Sequence, residues 1–287
     1  MATQTVSTSG VGTFSLGGEL TVNRLGFGAM RITGDGIWGP PKNHAGALAV
    51  LRRAVELGVN FIDTADSYGP NVSEELIAEA LAPYPQGLVV TTKGGWTRLG
   101  PGYWSHDASP EHLRTAVEGS LKRLRLQRIE LYQLHVPAPI TPFDKSVGAL
   151  KELRDEGKIR LVGLSNVTKE HVERAVDIVP IASVQNRYSF ADREWENVLE
   201  YCEQHKIAFI PWAPLLQNRD PGDVMRKIAR KHNATTHQVA IAWLLQRSPV
   251  MLLIPGTSSV AHLEENMKAA GVTLTDEEMA ELGAVKE

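Results

Sequence analysis

Short apolar runs followed by longer amphipathic runs repeat from one end of this chain to the other, and this alternation constrains the fold more than any other feature. The short runs are Leu25–Ala29 (LGFGA), Asn60–Ile62, Leu88–Thr92 (LVVTT), Ile129–Leu134 (IELYQL), Arg160–Leu164 (RLVGL), Ser183–Gln185, Ala208–Pro211 (AFIP) and Met251–Ile254 (MLLI). Their length and near-continuous apolar character predict strands buried on both faces. Between them the pattern predicts helices over His44–Leu57, Ser73–Leu81, Pro110–Leu124, Asp144–Glu156, Lys169–Val179, Arg193–His205, Pro221–His232 with Thr236–Gln246, and Ser259–Ala269. In the third, Leu113, Val117, Leu121 and Leu124 share one face, and Ser109-Pro110 supplies a cap and a first-turn proline. Eight such units predict an α/β fold, the (β/α)8 TIM barrel. A doubly wound open sheet is the alternative, but no strand runs into the GxGxxG turn that would anchor a dinucleotide-binding half.

Two segments lie outside the repeat. Thr13–Val22 (TFSLGGELTV) reads as an N-terminal β-hairpin turning at Gly17-Gly18 that could plug the barrel bottom. Thr275–Val285 reads as a capped C-terminal helix. No linker interrupts the pattern, so residues 1–287 are expected to form a single domain. With 43% hydrophobic and 22% charged residues the chain can fill a core of that size. The formal charge of -3, without a basic run outside helical patterns, argues against nucleic acid or an anionic membrane as partner. Cys202 is the only cysteine, which excludes an internal disulfide and a thiolate metal cluster. The first residues have no signal-peptide pattern and no run reaches membrane-spanning length, so a cytoplasmic location is expected.

In a barrel of this kind chemistry gathers on the loops after the strands, and that rule sorts the polar residues. Asp63 follows the second strand and Tyr68 lies five residues on. Lys93 follows LVVTT, and His135 follows IELYQL. Ser165 and Asn166 follow RLVGL, Gln185 ends the sixth strand, and Trp212 follows AFIP. Taken singly, each has a structural reading: a helix cap, a solvated rim charge, a hydrogen-bonded histidine. Taken together, they converge on one rim and one chemistry. A free tyrosine is a poor acid at neutral pH; a nearby ammonium favours its phenolate, and an aspartate can hold that lysine. Such a phenol can protonate a carbonyl oxygen while a histidine orients it. The hydride must then come from a cofactor. The nine histidines form no HxH pair at a strand end, so no metal site is expected.

From about Asn23 to Asn266 these segments resemble the aldo-keto reductase superfamily. FIDTADSYG, VVTTKGG and LYQLHVP are similar to its catalytic segments, so the resemblance implies Asp63, Tyr68, Lys93 and His135 as the catalytic set, with Tyr68 the acid. GLSN and VQNRYS are similar to the segments that hold the nicotinamide carboxamide, implying Ser165, Asn166 and Gln185. PWAPL resembles the segment whose aromatic residue, here Trp212, stacks on the nicotinamide; Leu215 is implied beside it as a cofactor contact. IPGTSSVAHLEEN resembles the stretch receiving the adenosine 2′-phosphate and adenine, implying Gly256, Thr257, Ser258, His262, Glu265 and Asn266. The implied cofactor is NADPH/NADP, and the implied activity is NADP-dependent reduction of an aldehyde or ketone. Where many members carry a lysine and an arginine, this chain has Gly256 and His262, which implies weaker discrimination against NADH.

Aromatic loops supply the candidate substrate pocket: Trp38, Trp96, Tyr103 and Trp104 could line an apolar slot for a flat molecule. The segments around Gly39–Pro70 and Ala242–Asn266 look most like bacterial members of the pyridoxal reductase (pyridoxine 4-dehydrogenase) branch, so pyridoxal or another aromatic aldehyde is the substrate to expect. The partner is then a small carbonyl compound, and the chain a monomer or weak homo-oligomer. The competing reading is a redox-sensing protein of the same fold that keeps the cofactor and turns over slowly.

Overall fold

The computed structural model describes residues 8–213 and 222–285. Strands β1 (Thr13–Leu16) and β2 (Leu20–Asn23) pair antiparallel. Their turn needs left-handed backbone at Gly17 and Gly18, with φ of 60° and 74°, which glycine adopts without steric cost. The expected N-terminal hairpin is therefore present. Gly17 sits so close to the barrel wall that an added Cβ would lie 2.8 Å from a Leu161 methyl. Leu16 and Val22 are fully buried in one cluster with Phe61, Val89, Leu131, Leu161, Ala208 and Leu252. Each contributes about 1.5–3 kcal/mol of burial to holding the hairpin in place.

The repeat follows. β3 (Phe27–Gly28) leads to α1 (His44–Glu56), β4 (Phe61–Asp63) to α2 (Val72–Leu81), and β5 (Val89–Gly94), after an excursion, to α3 (Pro110–Leu124). β8 (Ile129–Leu134) leads to α4 (Phe143–Asp155), β9 (Ile159–Ser165) to α5 (Lys169–Val176), and β10 (Ile181–Gln185) to α6 (Glu196–His205). Then come β11 (Ala208–Phe209), α7 (Gly222–Lys231), α8 (Thr236–Arg247), α9 (Val260–Met267) and α10 (Asp276–Gly283). Seven strands form one parallel sheet in the order β11-β10-β9-β8-β5-β4-β3. Its edges meet across the eighth predicted strand, which is present as two parallel bridges, Phe209 with Met251 and Leu25 with Leu253. Leu252 N–H donates to Phe209 O at 2.9 Å and Gly26 N–H to Leu253 O at 2.7 Å, closing the ring. Capping boxes open α8 at Thr235 and α10 at Thr275, and Ser109 caps α3 ahead of Pro110.

The excursion is an antiparallel hairpin of β6 (Trp96–Gly100) and β7 (Tyr103–His106), which the sequence reading leaves as loop. Gly95, Gly100, Pro101 and Gly102 punctuate it so densely that no period-2 run long enough to read as a strand survives. The barrel interior changes character with height. Phe61, Leu131 and Leu161 fill its lower part, while Asp63, Lys93, Gln133 and Gln185, all buried, come from the strands' C-terminal ends. A larger apolar layer joins the sheet to the surrounding helices. Among the described residues no helix is long and apolar enough to cross a membrane.

Candidate active site

Strand alternation sets the site. Phe61 points into the barrel, so Asp63, two residues on, does as well. Lys93 on neighbouring β5 is fully buried, and its Nζ donates to Asp63 Oδ2 at 2.6 Å and to Thr64 O at 2.8 Å. The other Asp63 oxygen accepts from Gln185 Nε2 at 3.0 Å and Gln133 Nε2 at 3.2 Å. A buried charged pair is tolerable only when the remaining lone pairs are satisfied in this way. Lys93 Nζ stands 5.2 Å from the Tyr68 ring centroid, and the Tyr68 and His135 rings meet edge to face at 5.8 Å. The four candidate catalytic residues are thus brought together.

Their electrostatics follow from burial and from each other. Burial opposes the Lys93 charge, but Asp63 and then Tyr68 outweigh it, and the ammonium holds its proton above the usual lysine range. Burial pushes the Tyr68 phenol up; Lys93 pulls it back, as the sequence leads one to expect, without cancelling the rise. The net direction is therefore upward, not the lowering expected from the lysine alone. Burial, then the Lys93 charge, hold the His135 imidazole well below the usual histidine value, so it is neutral at pH 7. Its Nδ1 is buried without a hydrogen-bond partner among the described residues.

Around this core the rim residues are tethered. Asn166 takes a left-handed φ of 56° and donates through Nδ2 to His135 O and Ser165 Oγ, both at 3.0 Å. Its Oδ1 accepts from Trp212 Nε1 at 3.1 Å. Trp212 is also held by its backbone, donating from N–H to Asn186 O, yet remains 36% exposed. The result is an indole face fixed at the barrel mouth. Leu215 lies outside the described residues. Near the last strand, Gly256 packs on Gly28 so tightly that a Cβ would stand 2.6 Å from Gly28 O. Beyond it Thr257 Oγ1 accepts from Ser259 N–H, and Ser259 caps α9 through His262 N–H. Ser258 and His262 are exposed, Glu265 is half-buried, and Asn266 is buried.

The β6–β7 hairpin forms one wall. Trp96 lies edge-on to Trp104 at 5.6 Å and to His135 at 6.4 Å. The Arg98 guanidinium stacks 3.7 Å from the Trp104 ring and 5.5 Å from Trp38. Trp38, Trp96 and Trp104 thus gather near the four, whereas Tyr103, beside the hairpin turn, is 72% exposed. Three participants escape a reading of strand ends. Gln133 lies two residues before His135, and its period-2 position was the available signal. The Thr64 carbonyl carries no comparable mark, and Arg98 stands out in the sequence only as a basic loop residue, which reads as a solvated charge. Asp66 is also buried, close enough to Glu74 of α2 to feel its charge. Burial and then Glu74 push its carboxyl well above the usual range, while Glu74 itself accepts from Thr92 Oγ1 and Arg123 Nε, both at 2.6 Å.

Comparison with known proteins places this geometry. The chain is 49% identical over 283 residues to an uncharacterized oxidoreductase of Schizosaccharomyces pombe, covering 98% of this chain and 92% of that one. It is 42% identical over 285 residues to pyridoxine 4-dehydrogenase of Escherichia coli, covering 95% and 98%. An aldo/keto reductase from Klebsiella pneumoniae, solved with NADP and acetate, superposes with a TM-score of 0.79 at 28% identity, over 94% of this chain and 93% of that one. The aldo/keto reductase family model matches residues 24–287. A closed parallel barrel with this rim, matched over nearly its whole length, belongs to the aldo/keto reductase family.

Proposed function

We propose that the protein reduces an aldehyde or ketone to an alcohol using NADPH, with Tyr68 as the proton donor. The observation that carries this is the buried Lys93–Asp63 pair held against the Tyr68 phenol, with a neutral His135 edge-on to the same ring. The fit of a nicotinamide cofactor rests on the fixed indole face of Trp212, the unpartnered buried nitrogen of His135, and the Gly28–Gly256 cradle that a side chain would fill. The cofactor, when bound, supplies the hydride. Ser165, Asn166 and Gln185 would hold its carboxamide and Trp212 its ring. The hydroxyls and N–H groups of Thr257, Ser258 and Ser259 would take the 2′-phosphate at the start of α9, and His262, Glu265 and Asn266 would flank the adenosine.

The residues then do three things. His135, neutral and therefore carrying one N–H, donates that hydrogen bond to the substrate oxygen and orients it. Tyr68 gives its proton to that oxygen as negative charge develops there. Lys93 stabilises the phenolate left behind, and Asp63 keeps Lys93 charged in a dry site. Because burial raises the phenol, the proton stays on Tyr68 until the oxygen becomes a stronger base than an ordinary carbonyl.

For the substrate, the tryptophan wall and the similarity to pyridoxine 4-dehydrogenase support a flat aromatic aldehyde such as pyridoxal. Steady-state assays with pyridoxal, a nitrobenzaldehyde and simple sugars test this; pyridoxal turnover at background would remove that substrate. Tyr68→Phe should abolish carbonyl reduction and preserve NADPH binding by fluorescence titration. A variant that still turns over at the wild-type rate would sink the assignment of the acid. Gly256 and His262 leave the 2′-phosphate without a permanent cation from either position, so kcat/KM should favour NADPH only modestly. A clear preference for NADH overturns this.

A further inference from the structure

Arg98 spends its guanidinium on the backbone of two other loops. From β6, Nη1 donates to Ile37 O at 2.9 Å and Ser67 O at 3.1 Å, and Nη2 to Gly36 O at 3.2 Å. Ser67 immediately precedes Tyr68. On the other side of Tyr68, Gly69 N–H donates to Ile37 O at 3.3 Å, and Gly39 N–H donates to Gly69 O at 2.7 Å. Trp38 and Gly69 thereby pair like strand residues. Among the described residues no carboxylate pairs with Arg98. The fork that usually grips an acid is here turned on three carbonyls, and its central carbon lies 3.7 Å from the Trp104 ring centroid and 5.5 Å from that of Trp38.

We propose that Arg98 is a positioning residue: it bolts the Gly36–Trp38 loop and the β6–β7 hairpin to the Ser67–Tyr68 peptide, fixing the Tyr68 backbone and the tryptophan wall in one arrangement. The inference rests on the reading of Tyr68 as proton donor. A backbone held at Ser67 O and at both polar groups of Gly69 leaves Tyr68 little freedom to drift. A displacement of about 1 Å at a reacting group costs on the order of 100-fold in rate. Lysine could not reproduce the arrangement, because an ammonium lacks the planar fork that reaches three acceptors and stacks on indole.

The test combines kinetics with amide hydrogen exchange on Arg98→Ala and Arg98→Lys. In Arg98→Ala, exchange should accelerate at least about tenfold in peptides spanning 34–40 and 66–70 and stay unchanged in 88–94. For the best carbonyl substrate kcat should fall on the order of 10- to 100-fold, with the NADPH dissociation constant within about twofold, since Arg98 acts through Tyr68. Arg98→Lys should lie between, and it serves alone if the alanine variant does not fold. Unchanged exchange in 34–40 and 66–70, unchanged kcat, or equal acceleration in 88–94 would each overturn the proposal. Exchange reads Arg98 without any chemistry. A wild type that matches Tyr68→Phe in carbonyl reduction would remove the reading of Tyr68 while leaving the exchange result to stand by itself.

Discussion

Replacing Asp63 by asparagine changes one atom and breaks the most exposed assumption about the site, that Lys93 is charged because Asp63 is. Asp63 receives three donors: Lys93 Nζ on Oδ2, Gln133 and Gln185 on Oδ1. An asparagine must aim its NH2 either at the ammonium or at the two amides. The first takes the carboxylate acceptor away from Lys93, leaving it Thr64 O and the Tyr68 hydroxyl, and the second sets donors against donors. Removing one partner of a buried ion pair costs about 3–5 kcal/mol, mostly because the surviving charge is stranded. Lys93→Met removes the other partner, and Asp63→Asn/Lys93→Met removes both. Urea unfolding of the four proteins gives the cycle. The single losses should exceed the double, with a coupling of about 2–3 kcal/mol. Lys93 is held above its ordinary value of 10.5 when folded, so its contribution is complete below that pH and is lost only as the pH climbs through the raised value. The coupling should therefore be the same at about pH 7 and pH 9. Additivity within about 0.5 kcal/mol, or a coupling that vanishes by pH 9, would refute the argument.

Three further outcomes follow from single contacts. The Tyr132 hydroxyl is buried without a partner among the described residues, and a Cβ on Gly94 would lie 2.1 Å from it. Tyr132→Phe should leave unfolding free energy unchanged or raise it by up to about 1 kcal/mol, and should rescue part of the loss in Gly94→Ala; a large loss from Tyr132→Phe would reveal a role for the hydroxyl. Gly256→Lys, which imitates the basic residue of many relatives, should lower the melting temperature by the equivalent of about 1–3 kcal/mol, because its Cβ meets Gly28 O. Fluorescence titration should show no tighter NADPH binding, and tighter binding in a stable variant contradicts the reading. Because His135 is held well below its ordinary 6.5, stability present above that pH should decline as the pH falls toward the folded value. His135→Gln should flatten the decline between about pH 6.5 and pH 5, as followed by thermal melts.

The barrel was legible because its strands are buried on both faces and therefore read as unbroken apolar runs such as LVVTT and IELYQL. The N-terminal hairpin was legible from two adjacent glycines. The catalytic candidates were legible because strand ends are marked positions. What was hidden depended on partners distant in sequence. Gln133 matters only because β4 brings Asp63 beside it, and Arg98 only because three loops meet. The β6–β7 hairpin gives no periodic signal since its strands are short and glycine-bounded. The direction of the Tyr68 shift was hidden for a different reason. Sequence names the lysine that lowers it, but only folded burial reveals the larger opposing effect.

The seam of the barrel also bears on how the protein comes into being. Its closing bonds join Gly26 and Arg24 to Leu253, and Arg24 reaches Met251 O across 227 positions of chain. Most strand pairs join neighbours in the sequence, so they can form as the chain lengthens. The seam cannot, because one edge waits for the other until nearly all residues exist. Entropy sets only a modest surcharge on so long a loop, since closure cost grows with the logarithm of its length. Time is another matter, because distant contacts slow folding. Until the ring shuts, an open sheet with two bare edges is the species that must be kept from pairing with others.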